Sequence, residues 1–183
     1  MKTILLAGLG NPGKEYADTR HNAGFMFVDH FREIETGANF SEWDFNKKLN
    51  AQICSGRFEG KKMILLKPQT FMNLSGEAIK KALSFFKIKP ESLTVVHDEI
   101  DLPLGTLRVS KSASSAGHQG VQNIIDQLGT KDFTRIRIGV DNRGGKKMAT
   151  EKYVLGKFTL KELGTVKKDI ESSLSELIIK LKS

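Results

Sequence analysis

The stretch Ile4-Leu5-Leu6-Ala7-Gly8-Leu9-Gly10-Asn11-Pro12-Gly13-Lys14-Glu15-Tyr16 carries an apolar run into a glycine-rich turn, the pattern of a buried strand that ends at the edge of an α/β sheet. Gly8, Gly10 and Gly13 have the G-x-G-x-x-G spacing of a dinucleotide site. Such a site also needs a helix opening at the third glycine, whose N-terminus holds the pyrophosphate, and an acidic residue about 20 positions on. Here Pro12-Gly13 predicts a turn, helical periodicity resumes near Phe25, and Asp29 and Glu33 fall inside that helix rather than at a strand end. Gly8 to Gly13-Lys14-Glu15 also approaches a P-loop, but Glu15 stands where that motif needs a hydroxyl on Mg²⁺. The stretch therefore reads as a tight strand-to-loop turn, in the position where α/β sheets usually carry their sites.

Working outward, strand-like runs cover residues 3–7, 49–58, 62–67, 93–97, 106–109 and 135–140. Glu59-Gly60-Lys61 between the second and third is a hairpin signal, so part of the sheet is antiparallel. Helical patterns alternate with these strands. Ile79, Ala82, Leu83 and Phe86 repeat at helical spacing after Asn73 or Ser75, either of which can cap. Val121, Ile124, Ile125 and Leu128 repeat it again, and Gly129 supplies a stop. Leu163, Val166, Ile170, Leu174, Leu177 and Leu181 mark a C-terminal amphipathic helix. The segment 141–152 is basic, glycine-containing and aperiodic, and reads as a mobile loop. The expectation is one α/β domain over residues 1–183, a twisted mixed β-sheet flanked by α-helices.

The 183 residues can enclose one well-buried core. No apolar run approaches the roughly 20 residues that span a bilayer, and no signal-peptide pattern is present. Cys54 has no second cysteine to pair with, so a reducing, cytoplasmic setting is expected. Lys and Arg outnumber Asp and Glu by 29 to 21, giving a formal charge of +8, which favours a polyanionic partner such as nucleic acid. Arg135, Arg137, Arg143, Lys146, Lys147, Lys152 and Lys157 crowd one region, opposed only by Asp141 and Glu151.

Four histidines are present, His21, His30, His97 and His118. His30 lies in a helical pattern and reads as a surface or packing residue. His97, at a strand end beside Asp98, reads as a satisfied core histidine. His21 and His118 lie in glycine-rich loops, where chemistry concentrates. A metal site from His97-Asp98-Glu99 with His21 or His118 has enough ligands, but the spacing matches no H-x-x-x-H helix and no Cys/His cluster. The G-x-S-x-G nucleophile elbow is absent. A site free of both metal and protein nucleophile can still hydrolyse an activated ester. Neutral His21 takes a proton from water, a carboxylate such as Asp98 supports the ring, and asparagine amides donate to the developing oxyanion.

These segments, read together, resemble the bacterial-type peptidyl-tRNA hydrolases. The matching runs are Gly8-Leu9-Gly10-Asn11-Pro12-Gly13 with Tyr16, then Thr19-Arg20-His21-Asn22-Ala23-Gly24 and Lys67-Pro68-Gln69-Thr70-Phe71-Met72-Asn73-Leu74-Ser75-Gly76. His97-Asp98-Glu99-Ile100-Asp101-Leu102-Pro103, Gly117-His118-Gln119-Gly120 and Arg135-Ile136-Arg137-Ile138-Gly139 follow in the same order. The resemblance implies a metal-independent, cofactor-free, monomeric esterase that frees peptide from the terminal ribose of tRNA. It implies His21 as the base and Asp98 as its carboxylate, with Asn11 distinguishing N-blocked from free aminoacyl groups and Asn73 holding peptide and water. Tyr16, Phe71, Met72 and His118 would line the cleft, and Arg137 would clamp a phosphate of the tRNA acceptor arm. Two departures stand out. Gln119 replaces the usual Asn, lengthening that contact by one methylene, and Ser112-Ala113-Ser114-Ser115-Ala116 replaces a glycine-rich stretch. For the clamp's second cation, Lys111 is the candidate and Arg108 the alternative. The rival readings are a non-catalytic RNA-binding module on the same fold and a metal-dependent hydrolase using His97 and Asp98.

Overall fold

A computed structural model of the protein describes residues 3–182, with side chains as far as Ser172. Seven strands, β1 (Thr3–Gly8), β2 (Asp44–Asn46), β3 (Ala51–Phe58), β4 (Lys61–Pro68), β5 (Leu93–Pro103), β6 (Leu107–Lys111) and β7 (Thr134–Asp141), form one sheet in the order β2-β3-β4-β1-β5-β7-β6. The inner pairs β4/β1, β1/β5 and β5/β7 are parallel, and the outer pairs β2/β3, β3/β4 and β7/β6 are antiparallel. The expected mixed sheet is therefore present, with its hairpin at Glu59 and Gly60, both at positive φ (48° and 71°), as a two-residue turn matching strand twist requires.

Five helices cover the sheet: α1 (Ala23–Ile34), α2 (Ser75–Phe86), α3 (Gln119–Leu128), α4 (Thr150–Val154) and α5 (Leu160–Lys182). Alternation along β1 sorts them by face. Ile4 and Leu6 join Phe27, Val28 and Phe31 of α1, Tyr153 and Val154 of α4, and Val166 and Ile170 of α5. Leu5 and Ala7 face the other way, onto Ile79, Ala82 and Leu83 of α2 and Val121 and Ile124 of α3. Each fully buried Leu or Phe in these layers contributes about 1.5–3 kcal/mol. The chain turns to one side of β1 through α1 and to the other through α2, so the C-terminal ends of β1 and β5 flank the point where strand order reverses, the usual ligand crevice of such sheets.

Several expected boundaries move. β5 runs on to Pro103, so Asp98 and Glu99 are strand residues rather than the loop after a strand. Acidic residues disfavour strands, but β7 pairs with both and both carboxylates find partners. Residues 49 and 50 belong to a turn before β3. β2, a three-residue edge strand, carries no strand signal in the sequence. The segment 141–152 is not irregular throughout. Asp141 closes β7 and α4 begins at Thr150, with Tyr153 and Val154 buried beneath it. Neither Asn73 nor Ser75 caps α2. Asn73 sits inside a 3-10 turn, Met72–Leu74, and the Ser75 hydroxyl donates to Met72 O at 2.8 Å. Leu174, Leu177 and Leu181 lie in α5 beyond the described side chains.

Candidate active site

The loop after β1 and the turn before α1 are tied by a reciprocal amide pair. Asn11 N donates to Asn22 Oδ1, and Asn22 Nδ2 donates to Asn11 O, both at 2.9 Å. Behind this pair, α1 enters the sheet through Gly24. A Cβ there would lie 2.3 Å from Val96 O and 2.4 Å from Leu9 N, so only glycine permits this approach. The helix thus opens at Ala23 rather than at Gly13. Backbone contact with α1, and not a pyrophosphate cradle, explains why Gly8 meets Gly24 here: a Cβ on Gly8 would fall 2.2 Å from Gly24 O.

The 3-10 turn Arg20–Asn22 presents His21 to the end of β5. His21 Nδ1 lies 2.9 and 3.0 Å from the two oxygens of Asp98. His118 Nε2 lies 2.9 Å from Asp98 Oδ1. Tautomers follow from the partners. His118 is the N-cap of α3, where its Nδ1 accepts the Val121 N–H at 3.3 Å, so its proton is on Nε2 and is donated to Asp98. His21 donates Nδ1–H to the same carboxylate and leaves the Nε2 lone pair for the cleft. Asp98 is buried, which pushes its acidity down, but His118 and His21 outweigh that and hold its pKa far below the usual carboxylate range. Burial lowers the His21 pKa, and Asp98 more than reverses this, leaving it raised. His97 is wholly buried and its pKa is driven well down by burial and by His118, so it is neutral. Its Nδ1 donates to Asp98 O at 2.6 Å and its ring meets His118 edge-on, centroids 4.7 Å apart. The core position is as the sequence suggests, but the ring is only half satisfied, since Nε2 is buried without a hydrogen-bond partner among the described residues.

Asn11 Oδ1 accepts the Met72 N–H at 2.8 Å, which turns its Nδ2 donor toward a cleft of about 680 Å³. Around that cleft stand His21, Phe71, Met72, Asn73, His118 and Gln119. Asn73 and Gln119 are exposed amides able to reach a ligand. Phe71 is 56% exposed and meets Tyr16 edge-on, centroids 6.4 Å apart, which joins Tyr16 to that wall of the cleft through Phe71. The opposite wall is α4, through Thr150, Glu151 and Val154, with Leu155 just after it. The helical form of this wall is not legible in the sequence, because a single helical turn has no readable period.

The cations separate. Arg137 lies 3.7 Å from Glu99, at the border of the cleft. Register sets Arg108 directly across from Arg137, whereas Lys111 pairs with Thr134, toward the start of β5 and away from Asp98. Strand alternation also puts Lys111 on the opposite sheet face from Arg108 and Arg137. Of the two candidates for the second clamp cation, Arg108 is thus the one that lies beside Arg137 in the sheet. Ligand atoms of His21, Asp98 and His118 lie within 4.8 Å of one another, a spacing that could hold a cation. However, the Val121 N–H fixes a proton on the His118 nitrogen that would have to bind it. His97, from the other metal reading, turns its ring to the backbone.

A family model described as peptidyl-tRNA hydrolase matches residues 5–183. The chain is 43% identical over 178 residues to the peptidyl-tRNA hydrolase of Thermodesulfovibrio yellowstonii, covering 96% of this chain and 91% of the relative. It is 40% identical over 174 residues to that of Bacillus subtilis, covering 93% and 88%. The crystal structure of peptidyl-tRNA hydrolase from Acinetobacter baumannii superposes with a TM-score of 0.85 at 34% identity, covering 97% of this chain and 89% of the other.

Proposed function

The chain belongs to the peptidyl-tRNA hydrolase family and hydrolyses peptidyl-tRNA; from that premise we propose that His21 is the general base, with Asp98 and His118 holding it and Asn11 receiving the substrate. Water in the cleft attacks the ester carbonyl between peptide and terminal ribose as His21 Nε2 takes its proton. Asp98, already accepting Nδ1–H, stabilises the imidazolium without itself becoming protonated. Collapse of the tetrahedral intermediate expels the ribose oxygen, which recovers the proton from His21. The free Nδ2 of Asn11, with Asn73, donates to peptide carbonyls or the oxyanion. A free α-ammonium offers such donors nothing to bond, which favours N-blocked substrates. Gln119 reaches into the same cleft with a longer arm.

The observation that carries this reading is the hydrogen-bonded chain His21, Asp98, His118 and the Val121 N–H, which fixes the protons on both rings. No step requires a metal or cofactor, so we read the enzyme as metal-independent, and as a monomer on the family resemblance. Arg137 and Arg108 flank the cleft as a phosphate clamp for the acceptor arm. Two guanidinium groups set opposite one another in a sheet repel, and a phosphate between them relieves that. A cytoplasmic setting fits the buried Cys54, whose thiol burial pushes up to about 11; among the described residues no helix is long and apolar enough to cross a membrane.

Single-turnover cleavage of N-acetylated and free aminoacyl-tRNA in the presence of chelator tests this. The wild type cleaves only the blocked substrate, and His21→Ala loses about 10²- to 10⁴-fold in rate with tRNA affinity retained. Full turnover by His21→Ala removes the base assignment, and loss of activity to chelator removes the metal-independent one.

A further inference from the structure

We propose that Arg20 is a positioning residue: paired with Glu162 and seated on Tyr153, it latches α4, one wall of the cleft, to the turn that carries His21. The inference rests on the reading of His21 as the base. Arg20 immediately precedes His21, and its Nη2 lies 3.0 and 3.3 Å from the two oxygens of Glu162, 142 residues away in sequence. Its guanidinium centre stands 4.4 Å from the Tyr153 ring centroid and 5.5 Å from that of Phe158. Arg143 approaches the same tyrosine at 5.3 Å. The Tyr153 hydroxyl donates to Val140 O and accepts the Asn142 N–H, each at 2.8 Å, which pins α4 to the end of β7.

Glu162 gathers the remaining threads. It accepts the Thr159 N–H at 2.7 Å and the Asn142 side-chain amide at 3.2 Å. Backbone bonds run alongside, from Arg20 N to Gly156 O at 3.0 Å and from Phe158 N to Asp18 O at 2.9 Å. The pair is largely buried, with side chains 12% and 7% exposed. Burying two charges is costly, and replacement by packed apolar groups is often neutral or stabilising. Such a pair is therefore better explained by the geometry it fixes. Arginine suits the task because one planar group donates to the carboxylate through Nη2 while its face lies over an aromatic ring, which an ammonium cannot do. Beyond the latch, α4 turns Thr150, Glu151 and Val154 into the cleft. The latch thus fixes the distance between the base and the opposing wall. Reaction rates are sensitive to that distance, since a displacement of about 1 Å can cost on the order of 100-fold.

The test is a mutant cycle of Arg20→Lys, Glu162→Gln and the double variant on N-acetylaminoacyl-tRNA, normalised to folded enzyme. Each single variant lowers kcat by about 5- to 100-fold, leaves the Kd for deacylated tRNA within about twofold, and the double variant falls no further than the worse single one. Glu162→Gln keeps the side-chain volume and carries the test alone if Arg20→Lys does not fold. Wild-type kcat with a lowered Tm makes the pair merely structural and overturns the proposal. Additive losses do the same, because they deny a shared latch. His21→Ala, assayed in parallel, separates the two readings: full turnover there fails the base assignment whatever the cycle shows.

Discussion

The polarity of the His21 ring depends on one proton, and that proton is fixed by Asp98. Because Asp98 raises the His21 pKa, it favours the imidazolium, the form that cannot act as base. Activity therefore falls as pH drops through this raised pKa. Asp98→Asn removes the cause, so the acidic limb of the kcat/KM profile moves to lower pH. The rate falls as well, by about 10²- to 10⁴-fold, because an amide can face the ring with either end and no longer selects the Nδ1–H tautomer. A pH-rate profile of both proteins decides this; an acidic limb that stays in place means another group sets it. At this scale much was legible in the sequence. His21 and His118 stood out from His30 and His97 by their glycine-rich settings, and His97 is indeed in the core. The proton assignment was not legible, since it depends on the Val121 N–H, which becomes a free donor only once α3 begins at Gln119. Nor was the role of Asn22, whose amide partner lies 11 residues away across a turn.

Elements bring these groups together through backbone contact more than through side-chain chemistry. The α1 N-terminus lies against β1 and β5 at Gly24 with no room for a methyl group. Gly24→Ala must displace α1, and the His21 turn with it, at a cost of about 1–3 kcal/mol. The expected result is a lower urea midpoint with unchanged m-value, and reduced kcat per folded molecule. A variant as stable and as active as wild type contradicts the packing argument. This explains what periodicity could and could not supply. The four longer helices, α1, α2, α3 and α5, and the apolar inner strands were readable because burial on a defined face is what the pattern encodes. β2 and α4 are too short to show a period, and each exists because the rest of the molecule supplies its partner: β3 for the first, and the core under Tyr153 and Val154 for the second. The extension of β5 through Asp98 and Glu99 escaped for the opposite reason. Local propensity argued against it, and tertiary partners at His21, His118 and Arg137 overrode propensity.

Over the whole molecule, charge acts in two ranges. At short range, Glu162 joins the α5 start to the His21 turn. Its burial pushes the pKa up, and the bonds from Thr159, Asn142 and Arg20 outweigh this, holding it at about 2 against an ordinary 4.5. A carboxylate depressed on folding stabilises the protein above its unfolded pKa and loses that contribution as pH falls. Acid unfolding of Glu162→Gln is thus expected to be flatter than wild type between about pH 4.5 and 2. Equal pH slopes for the two proteins in that window contradict the assignment. At long range, the excess of 29 basic over 21 acidic residues attracts the RNA, but only cations that neutralise a phosphate release its counterions. The affinity for tRNA therefore falls linearly with salt on logarithmic axes, with a slope set by the number of such contacts. Arg137→Ala and Arg108→Ala each reduce that slope by about 1 and weaken binding at low salt. Lys111→Ala, on the other face and farther from Asp98, leaves the slope unchanged. Filter binding of deacylated tRNA across a salt series reads all three. If Lys111→Ala lowers the slope while Arg108→Ala does not, the clamp does not follow the β6/β7 register, and the RNA crosses the sheet edge on the opposite face.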